Sequence, residues 1–107
     1  MRKRKRERKE LIAIVNDVFR RRGTGFMVTP GIQTLVDIPG VVEAIRNFDS
    51  FNEASDPHGE HDFGSIEWHG NRVFWKIDYY DWALEYGEDP LSPRCKRVLT
   101  IMLASEY

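Results

Sequence analysis

Apolar residues near the start of the chain repeat with the period of a helix. Ile14 lies off the main stripe, and Gly23 and Gly25 supply the kind of stop signal that ends many helices. The pattern therefore predicts a helix from about residue 6 to residue 22. Its stripe has five members, which recur at i, i+3/4 and i+7/8: Leu11, Ile12, Val15, Val18 and Phe19.

Shorter elements are predicted downstream of this helix. Residues 26–29 are a strand candidate, and a helical turn is expected over residues 32–36. A second helix is predicted over residues 39–48, with Asp37 as its amino-terminal cap. Residues 49–64 are polar and rich in Gly, Asp and His, so they are predicted to form a long loop, and a loop of this length in a compact domain favours a functional role.

A β-hairpin is predicted around Gly70-Asn71, which lies between two runs of strand-forming residues. With these two residues as the turn, Trp68 pairs with Val73. Side chains alternate along a strand, so one face of the hairpin is apolar and the other is largely polar. The apolar face contains Ile66, Trp68, Val73, Trp75, Ile77 and Tyr79. The other face contains Phe63, Ser65, Glu67, His69, Arg72, Phe74, Lys76, Asp78 and Tyr80.

A last strand is predicted over residues 97–104, where apolar residues fall on both faces, as in a central strand covered on both sides. The elements then follow the order α-β-α-β-β-β. This order predicts an α+β fold, with a small, mostly antiparallel sheet packed with two helices. Residues 10–107 are expected to form a single domain, and residues 1–9 a basic arm that frays at its start and continues into the first helix.

Charge is divided unevenly along the chain of 107 residues. Residues 1–22 hold ten Lys or Arg against three acidic residues, a net charge of +7, whereas the remaining 85 residues hold six against fourteen, a net charge of −8. Such asymmetry suggests that the arm has an electrostatic partner of its own, and the candidates are the protein's own acidic body, an acidic protein and a nucleic acid. No stretch approaches the roughly 20 apolar residues of a membrane span. The lone Cys95 fits a reducing compartment, so a cytoplasmic location is expected.

The loop Asp56-Pro57-His58-Gly59-Glu60-His61-Asp62 resembles an inventory of metal ligands. The candidate ligands of a divalent metal are His58, His61 and Asp62. Their spacing is not diagnostic, because two imidazoles in a loop fix no geometry. The alternative is a protein without a cofactor, in which the Asp and Gly residues form turns and the His side chains bond to the backbone.

The polar face of the hairpin supplies a second candidate site. In the predicted register Lys76 lies diagonal to Glu67 and two residues from Asp78, within reach of long side chains. With His61 at the entrance to the strand and Tyr80 at its end, these residues resemble the acid–base set of a hydrolase or nuclease. The alternative is a partly solvated sheet face with weak ion pairs, in which no residue is catalytic. The candidate catalytic set is His61, Glu67, Lys76 and Asp78.

Two further segments favour binding over catalysis. After the hairpin, aromatic residues alternate with carboxylates, which repel phosphates, and exposed Tyr and Trp are typical anchors of protein interfaces. The candidate protein-binding residues are Tyr80, Asp81, Trp82, Glu85, Tyr86 and Glu88. At the start of the chain, a run of cations suits a phosphate backbone or forms a solubilising end. The candidate nucleic-acid-binding residues are Arg2, Lys3, Arg4, Lys5 and Arg6.

Five segments carry a resemblance to a known family. They are Asn16-Asp17-x-Phe19-Arg20, the loop from Asp56 to Gly64, the strand from Phe74 to Asp81, Asp89-Pro90, and residues 97–104 with Glu106-Tyr107. Together they resemble a bacterial family of unknown function, numbered 3768, from about residue 10 onward. The resemblance implies a compact single domain in bacteria, often carried on plasmids and other mobile elements. It implies no activity.

The acidic body and its aromatic residues favour a small non-enzymatic interaction protein. Its acidic-aromatic surface is expected to bind a basic or nucleic-acid-handling protein, as an accessory of a mobile element or a factor that interferes with host defence. The alternative is a metal-assisted hydrolase or nuclease that uses His58 and His61 with Glu67, Lys76 and Asp78. Homo-oligomers and direct nucleic-acid binding through the arm are left open, and no membrane contact is expected.

Overall fold

In the part of the chain that the structure describes, three helices lie on one face of a four-stranded sheet, which confirms the predicted α+β fold. The computed structural model describes residues 2–35 and 37–107, with side chains from Glu7 onward. The short second helix replaces the helical turn predicted over residues 32–36. The elements are α1 (Arg2–Arg22), β1 (Met27–Val28), α2 (Pro30–Gln33), α3 (Ile38–Arg46), β2 (Phe63–Trp68), β3 (Asn71–Tyr80), β4 (Lys96–Leu103) and a closing 3-10 turn (Ala104–Glu106).

The sheet has the strand order β1-β4-β3-β2. β2 pairs with β3 and β3 with β4 in antiparallel fashion, whereas β1 pairs with β4 in parallel. The prediction of a mostly antiparallel sheet is therefore confirmed. β4 is central, as expected; helices cover only one of its faces, and on the other face Met102 is buried while Val98 and Thr100 are half-buried. The helices pack on the face that carries Leu99 and Ile101, and Val98 and Thr100 point to the other face.

The core centres on Trp75, which is fully buried in the middle of β3. Val41 and Ile45 of α3 pack over it, and Leu99 and Ile101 of β4 lie beside it in the same cluster. Gly64 pairs with Trp75 across β2 and β3. Any larger side chain there would collide with the indole ring, so the glycine is required by close packing.

The hairpin turn is His69-Gly70 rather than Gly70-Asn71, so the predicted register is wrong by two residues. Trp68 pairs with Asn71 instead of Val73. Both turn residues have positive φ, 47° at His69 and 85° at Gly70, as a two-residue type I′ turn requires. Because side-chain direction repeats every two residues, a shift of two leaves the predicted faces of the hairpin unchanged.

Other boundaries differ from the predictions by a few residues. β1 spans two residues where four were expected, and β4 begins at Lys96 and ends at Leu103. α3 ends at Arg46 instead of continuing to Phe48. Its predicted cap is confirmed, because Asp37 Oδ1 accepts a hydrogen bond of 3.1 Å from the backbone N–H of Gly40.

α1 and α3 each supply an arginine that caps the other near its carboxyl end. Arg20 of α1 donates from Nε to the carbonyl of Ile45 at 3.1 Å and from Nη2 to that of Phe48 at 2.9 Å. Arg46 of α3 donates to the carbonyls of Arg20 at 3.0 Å and Gly23 at 2.9 Å. Helix carboxyl ends leave carbonyls without intrahelical partners, and cations there also suit the helix dipole. The exchange fixes the two helices against each other.

The face that α1 turns to the sheet is not the stripe that the sequence pattern indicates. Ile12 and Ala13 are buried, but so are Asn16 and Arg20, each of which is 0% exposed. Phe19 is only half-buried. The remaining members of the predicted stripe point to solvent together with Ile14, and the exposed set is Leu11, Ile14, Val15 and Val18.

Candidate functional site

The segment after β3 forms a closed loop, which we call the acidic-aromatic loop (residues 80–88). Its backbone is joined across the base, where the N–H of Asp81 donates to the carbonyl of Tyr86 at 2.9 Å. The side chain of Asp81 accepts a second bond of 3.0 Å from the N–H of Glu85. These bonds close the loop and restrict its backbone.

Three large apolar side chains project from this loop into solvent. Trp82 is 68% exposed, Tyr86 71% and Leu84 50%. Single exposed apolar residues are common on protein surfaces, but three of them within five residues of one loop favour an interaction site. Asp81 and Glu85 alternate with them along the chain. The loop therefore combines aromatic anchors with negative charge.

An apolar groove of about 600 Å³ separates the acidic-aromatic loop from α1. Val15 and Val18 of α1 form one wall, Trp82 forms part of the opposite wall, and Cys95 lines the groove between them. Burial raises the pKa of the Cys95 thiol. The thiol is therefore protonated at neutral pH and contributes an apolar surface rather than a nucleophile.

A salt bridge connects the basic half of α1 to the acidic side of the molecule. Arg8 Nη2 lies 2.6 Å from Asp89 Oδ1, just beyond the acidic-aromatic loop. The hydrogen bond from Arg8 lowers the pKa of the Asp89 carboxyl. One of the arm's electrostatic partners is thus the protein's own acidic body.

A buried polar network lies between α1 and the sheet. Asn16 Nδ2 donates to the carbonyl of Glu60 at 2.9 Å and to the hydroxyl of Tyr79 at 2.8 Å. Its Oδ1 accepts a bond of 2.7 Å from Arg97 Nε, and Arg97 also donates to the carbonyl of Pro90 at 2.6 Å. One buried amide therefore joins α1 to β3, to β4 and to the loop of residues 56–62, which we call the His-rich loop.

His61 extends this network to the helix surface. Its Nδ1 lies 3.0 Å from Asp17 Oδ1, which also accepts a bond of 2.9 Å from Arg20. The imidazole stacks on the ring of Phe51, with centroids 3.8 Å apart and an angle of 1° between the planes. Asp56 accepts from the backbone N–H of His61 at 3.2 Å. His61 is therefore a tie between the loop and α1.

The acidic members of the network have perturbed pKa values. Burial raises the pKa of Asp62, although the hydrogen bond of 3.2 Å from the Tyr79 hydroxyl opposes the shift. Burial also raises the pKa of Glu60, and the charge of Asp62 adds to the effect. The pKa of Tyr79 is raised for the same reason, so its phenol stays protonated and serves as a hydrogen-bond relay.

Sequence comparison places the chain in a family. The family described as Protein of unknown function (DUF3768) matches residues 28–106. The chain belongs to this family. The DUF3768 match includes the His-rich loop, the hairpin and β4, whereas Asn16, Asp17 and Arg20 precede it. No curated protein and no solved structure matches the chain.

The DUF3768 region does not bring the candidate catalytic residues together. His61 lies on the helix side of the sheet, bonded to Asp17. Glu67, Lys76 and Asp78 belong to the opposite face. On that face Glu67 pairs with Arg72 at 2.8 Å instead of approaching Lys76, as the two-residue register shift requires.

Lys76 and Asp78 do meet, as expected, at 3.1 Å, and the hydrogen bond that Lys76 donates to the Asp78 carboxylate raises the pKa of Lys76. Tyr80 follows on the same face and is half-buried. Glu67 is engaged elsewhere and His61 lies on the other side of the sheet, so this partly solvated face carries two separate ion pairs.

The three candidate metal ligands do not share a site, because each has a different environment. His58 is exposed, His61 bonds to Asp17, and Asp62 accepts a bond from Tyr79. Across residues 2–35 and 37–107, no three His, Cys, Asp or Glu side chains form a group that could hold a metal ion.

The candidate nucleic-acid-binding residues, Arg2 to Arg6, lie in the first turns of α1, and their side chains are outside the described part of the structure. Arg8 and Lys9, which follow them, border a small cleft of about 190 Å³ with His58 and Glu60. None of the described helices has the length and apolar character needed to cross a bilayer.

Sequence reasoning gave no role to the residues that hold α1 in place. In the sequence, Asn16, Asp17 and Arg20 stand out only as part of the family motif, and Arg97 only as the start of a strand. The available signal was their spacing: Asn16 and Arg20 lie four residues apart, on the same side of the helix as Ile12 and Ala13. A polar pair on an otherwise apolar helix side indicates a buried network or a site.

Proposed function

We propose that this protein is a small non-enzymatic interaction protein whose acidic-aromatic loop binds a basic partner protein. The observation that supports this most directly is the exposure of Trp82 and Tyr86 on a loop fixed by its own hydrogen bonds. Trp and Tyr are enriched among the residues that dominate the free energy of protein association. A loop that is already ordered loses less conformational freedom when it binds.

Charge and shape indicate the chemistry of the partner. The loop carries Asp81, Glu85 and Glu88, within a body whose net charge is −8 over residues 23–107. Trp82, Leu84 and Tyr86 add exposed apolar surface to the loop. A complementary segment would therefore combine Arg or Lys with aliphatic or aromatic residues.

Nucleic-acid-handling proteins present basic surfaces of this kind, so they are the partner class we favour. An acidic protein that covers such a surface would compete with nucleic acid for it. In a bacterial cytoplasm this activity would suit an accessory of a mobile element or a factor that interferes with host defence. The dispersal of His61, Glu67, Lys76 and Asp78 removes the support for a hydrolase, and we propose no second function.

Capture from a bacterial lysate by the purified, tagged protein tests the proposal. We expect one or more basic proteins to be retained by the wild type and reduced about tenfold or more by Trp82→Ala combined with Tyr86→Ala. Tyr107→Ala is the matched control, because Tyr107 is 77% exposed and contacts Phe63 and Phe74 on the open face of the sheet.

The charge component has its own measurement. Glu85→Lys should weaken the captured interaction, and raised salt should weaken wild-type binding, because exposed charges are screened. Equal capture by the wild type, the double variant and the control would contradict the proposal.

A further inference from the structure

α1 carries an apolar stripe on the side that faces away from the sheet. The exposed fractions of its members are 52% for Leu11, 59% for Ile14, 40% for Val15 and 55% for Val18. Their intervals of three, four and seven residues place them in one line along the helix. A surface helix normally presents polar residues there, so this outer stripe has the composition of a contact surface.

The two ends of the outer stripe have opposite charges. Glu7 precedes Leu11 by four residues, and Arg22 follows Val18 by four. Both are exposed, and at 100° per residue both fall on the side of the stripe. The outer stripe thus runs from a carboxylate through four apolar residues to a guanidinium.

We propose that the outer stripe packs against the outer stripe of a second copy of this chain in an antiparallel helix pair. When two copies cross between Ile14 and Val15, Glu7 of each copy lies level with Arg22 of the other. A two-fold axis creates this contact twice, once at each end. A parallel pair would instead place like charges together, so the charge pattern selects the antiparallel arrangement.

The groove beside α1 supplies room for the partner helix. Trp82 stands next to Val15 and Val18, and the space of about 600 Å³ between them is lined mainly by apolar groups. Side chains on one helix pack into the grooves of its neighbour, so a helix laid on the outer stripe would project side chains into this space. Tyr86 is not among the groove's lining residues, so it remains available to the partner protein proposed above.

The inference goes beyond the proposed function and does not rest on it, because self-association is measured on the purified protein alone. In sedimentation velocity or light scattering, we expect a dimer with a dissociation constant on the order of micromolar. Val18→Lys should abolish it, raising the dissociation constant by about 100-fold or more, because a charge would be buried in the seam. Tyr107→Ala and Tyr86→Ala should remain dimeric, and circular dichroism checks that every variant is folded.

A charge exchange tests the orientation. Glu7→Arg and Arg22→Glu should each weaken the homodimer by about tenfold, since both ends become repulsive. When the two variants are mixed, both ends become complementary, and heterodimers should exceed homodimers.

Three results would overturn the inference: a wild-type monomer at about 100 µM, a dimer that survives Val18→Lys, or a mixture without preferred heterodimers. If the wild type and Val18→Lys are both monomeric, but Val18→Lys no longer captures a protein that the wild type retains, the outer stripe binds that protein instead of a second copy. Loss of capture by Tyr86→Ala with the dimer intact would separate the two surfaces.

Discussion

Two helices lie on the same face of the sheet and meet it in different ways. α3 buries Val41 and Ile45 and turns Glu43 to solvent, which is the usual arrangement of a surface helix. α1 buries Asn16 and Arg20 next to its few buried apolar residues, and it turns the outer stripe to solvent. One helix is held mainly by apolar contact and the other mainly by hydrogen bonds.

The two modes of attachment differ in what they specify. Apolar burial is roughly proportional to area and has no direction, so the contacts of Val41 and Ile45 do not by themselves fix the rotation of α3 on the sheet. The bonds from Asn16, Arg20 and Arg97 have fixed lengths and angles, so they define the position and rotation of α1. Buried polar groups add little net stability when satisfied, but each becomes costly when a partner is lost. The comparison therefore predicts how substitutions in each helix should behave.

Arg20→Met should produce the largest loss of stability. The change removes donors from the carbonyls of Ile45 and Phe48 and takes the cation away from Asp17. Breaking a buried ion pair from one side lowers the free energy of unfolding by about 3–5 kcal/mol, and urea denaturation measures it. Arg20→Lys should also be strongly destabilised, because one ammonium group cannot reproduce the fork of the guanidinium.

Arg21→Met is the matched control for this experiment. Arg21 is adjacent and exposed, so its replacement should change the free energy of unfolding by less than about 0.5 kcal/mol. Equal losses at both positions would mean that helix charge, rather than the buried contacts of Arg20, stabilises α1.

Ile45→Ala should come second, with a loss of about 3 kcal/mol in the free energy of unfolding. Ile45 is fully buried in the core cluster, so its truncation leaves a cavity beside Trp75. Leu11→Ala on the outer stripe is the contrasting change, because Leu11 is 52% exposed in the monomer. Measured at a protein concentration that keeps the chain monomeric, it should cost less than about 0.5 kcal/mol; a loss as large as that of Ile45→Ala would contradict the exposed position of the stripe.

Sequence patterns predicted α3 better than α1 for a physical reason. In α3 the apolar period and the buried face coincide, and Asp37 marks the start of the helix. In α1 the period of the apolar residues indicates a stripe, but the period does not distinguish a helix face that packs on the chain's own core from a face exposed to solvent. Leu11, Val15 and Val18 satisfied the pattern without contributing to the core.

The candidate site also combines a feature that is predictable from the sequence with one that is not. Exposure of Trp82 and Tyr86 follows from local composition, because acidic neighbours and turn residues keep such a segment at the surface. The polar network does not follow from local composition. Asn16 bonds to residues that are 44, 63 and 81 positions away, and no local pattern contains that information. The hairpin faces were predictable despite the wrong turn. Successive side chains point to opposite faces of a strand, so an error of two residues in the register leaves every side chain on its predicted face.

Asn16→Leu tests the polar attachment of α1 without changing the helix charge. Leucine is close to asparagine in size, but it leaves the Nε of Arg97 and the carbonyl of Glu60 without partners in a buried place. We expect a loss of about 2 kcal/mol in the free energy of unfolding. Asn47→Leu at the exposed end of α3 is the control, with an expected change below about 0.5 kcal/mol. If Asn16→Leu instead stabilised the protein, apolar contact alone would suffice to hold α1.

Asp62→Asn should have the smallest effect, and its sign depends on pH. Burial raises the pKa of Asp62 above its ordinary value of 3.8, so the folded protein binds this proton more tightly than the unfolded chain. The wild type therefore gains stability as pH falls through the raised pKa, and this gain is complete below pH 3.8, the ordinary pKa of the carboxyl. The variant is neutral throughout and can still accept from Tyr79. Relative to the wild type it should be slightly more stable at pH 7, and the advantage should shrink as pH falls.

Glu106→Gln provides a control of opposite sign in the same urea titrations. The hydrogen bond from the Thr29 hydroxyl lowers the pKa of Glu106, so this carboxylate stabilises the folded state above its ordinary value of 4.5. Its replacement should destabilise the protein at pH 7, and the loss should vanish as pH falls through the lowered pKa. If Asp62→Asn also destabilised the protein at pH 7, with a loss that vanished at low pH, the folded state would require the charged form of Asp62. The attachment of α1 would then depend on an ionised carboxylate rather than on neutral hydrogen bonds.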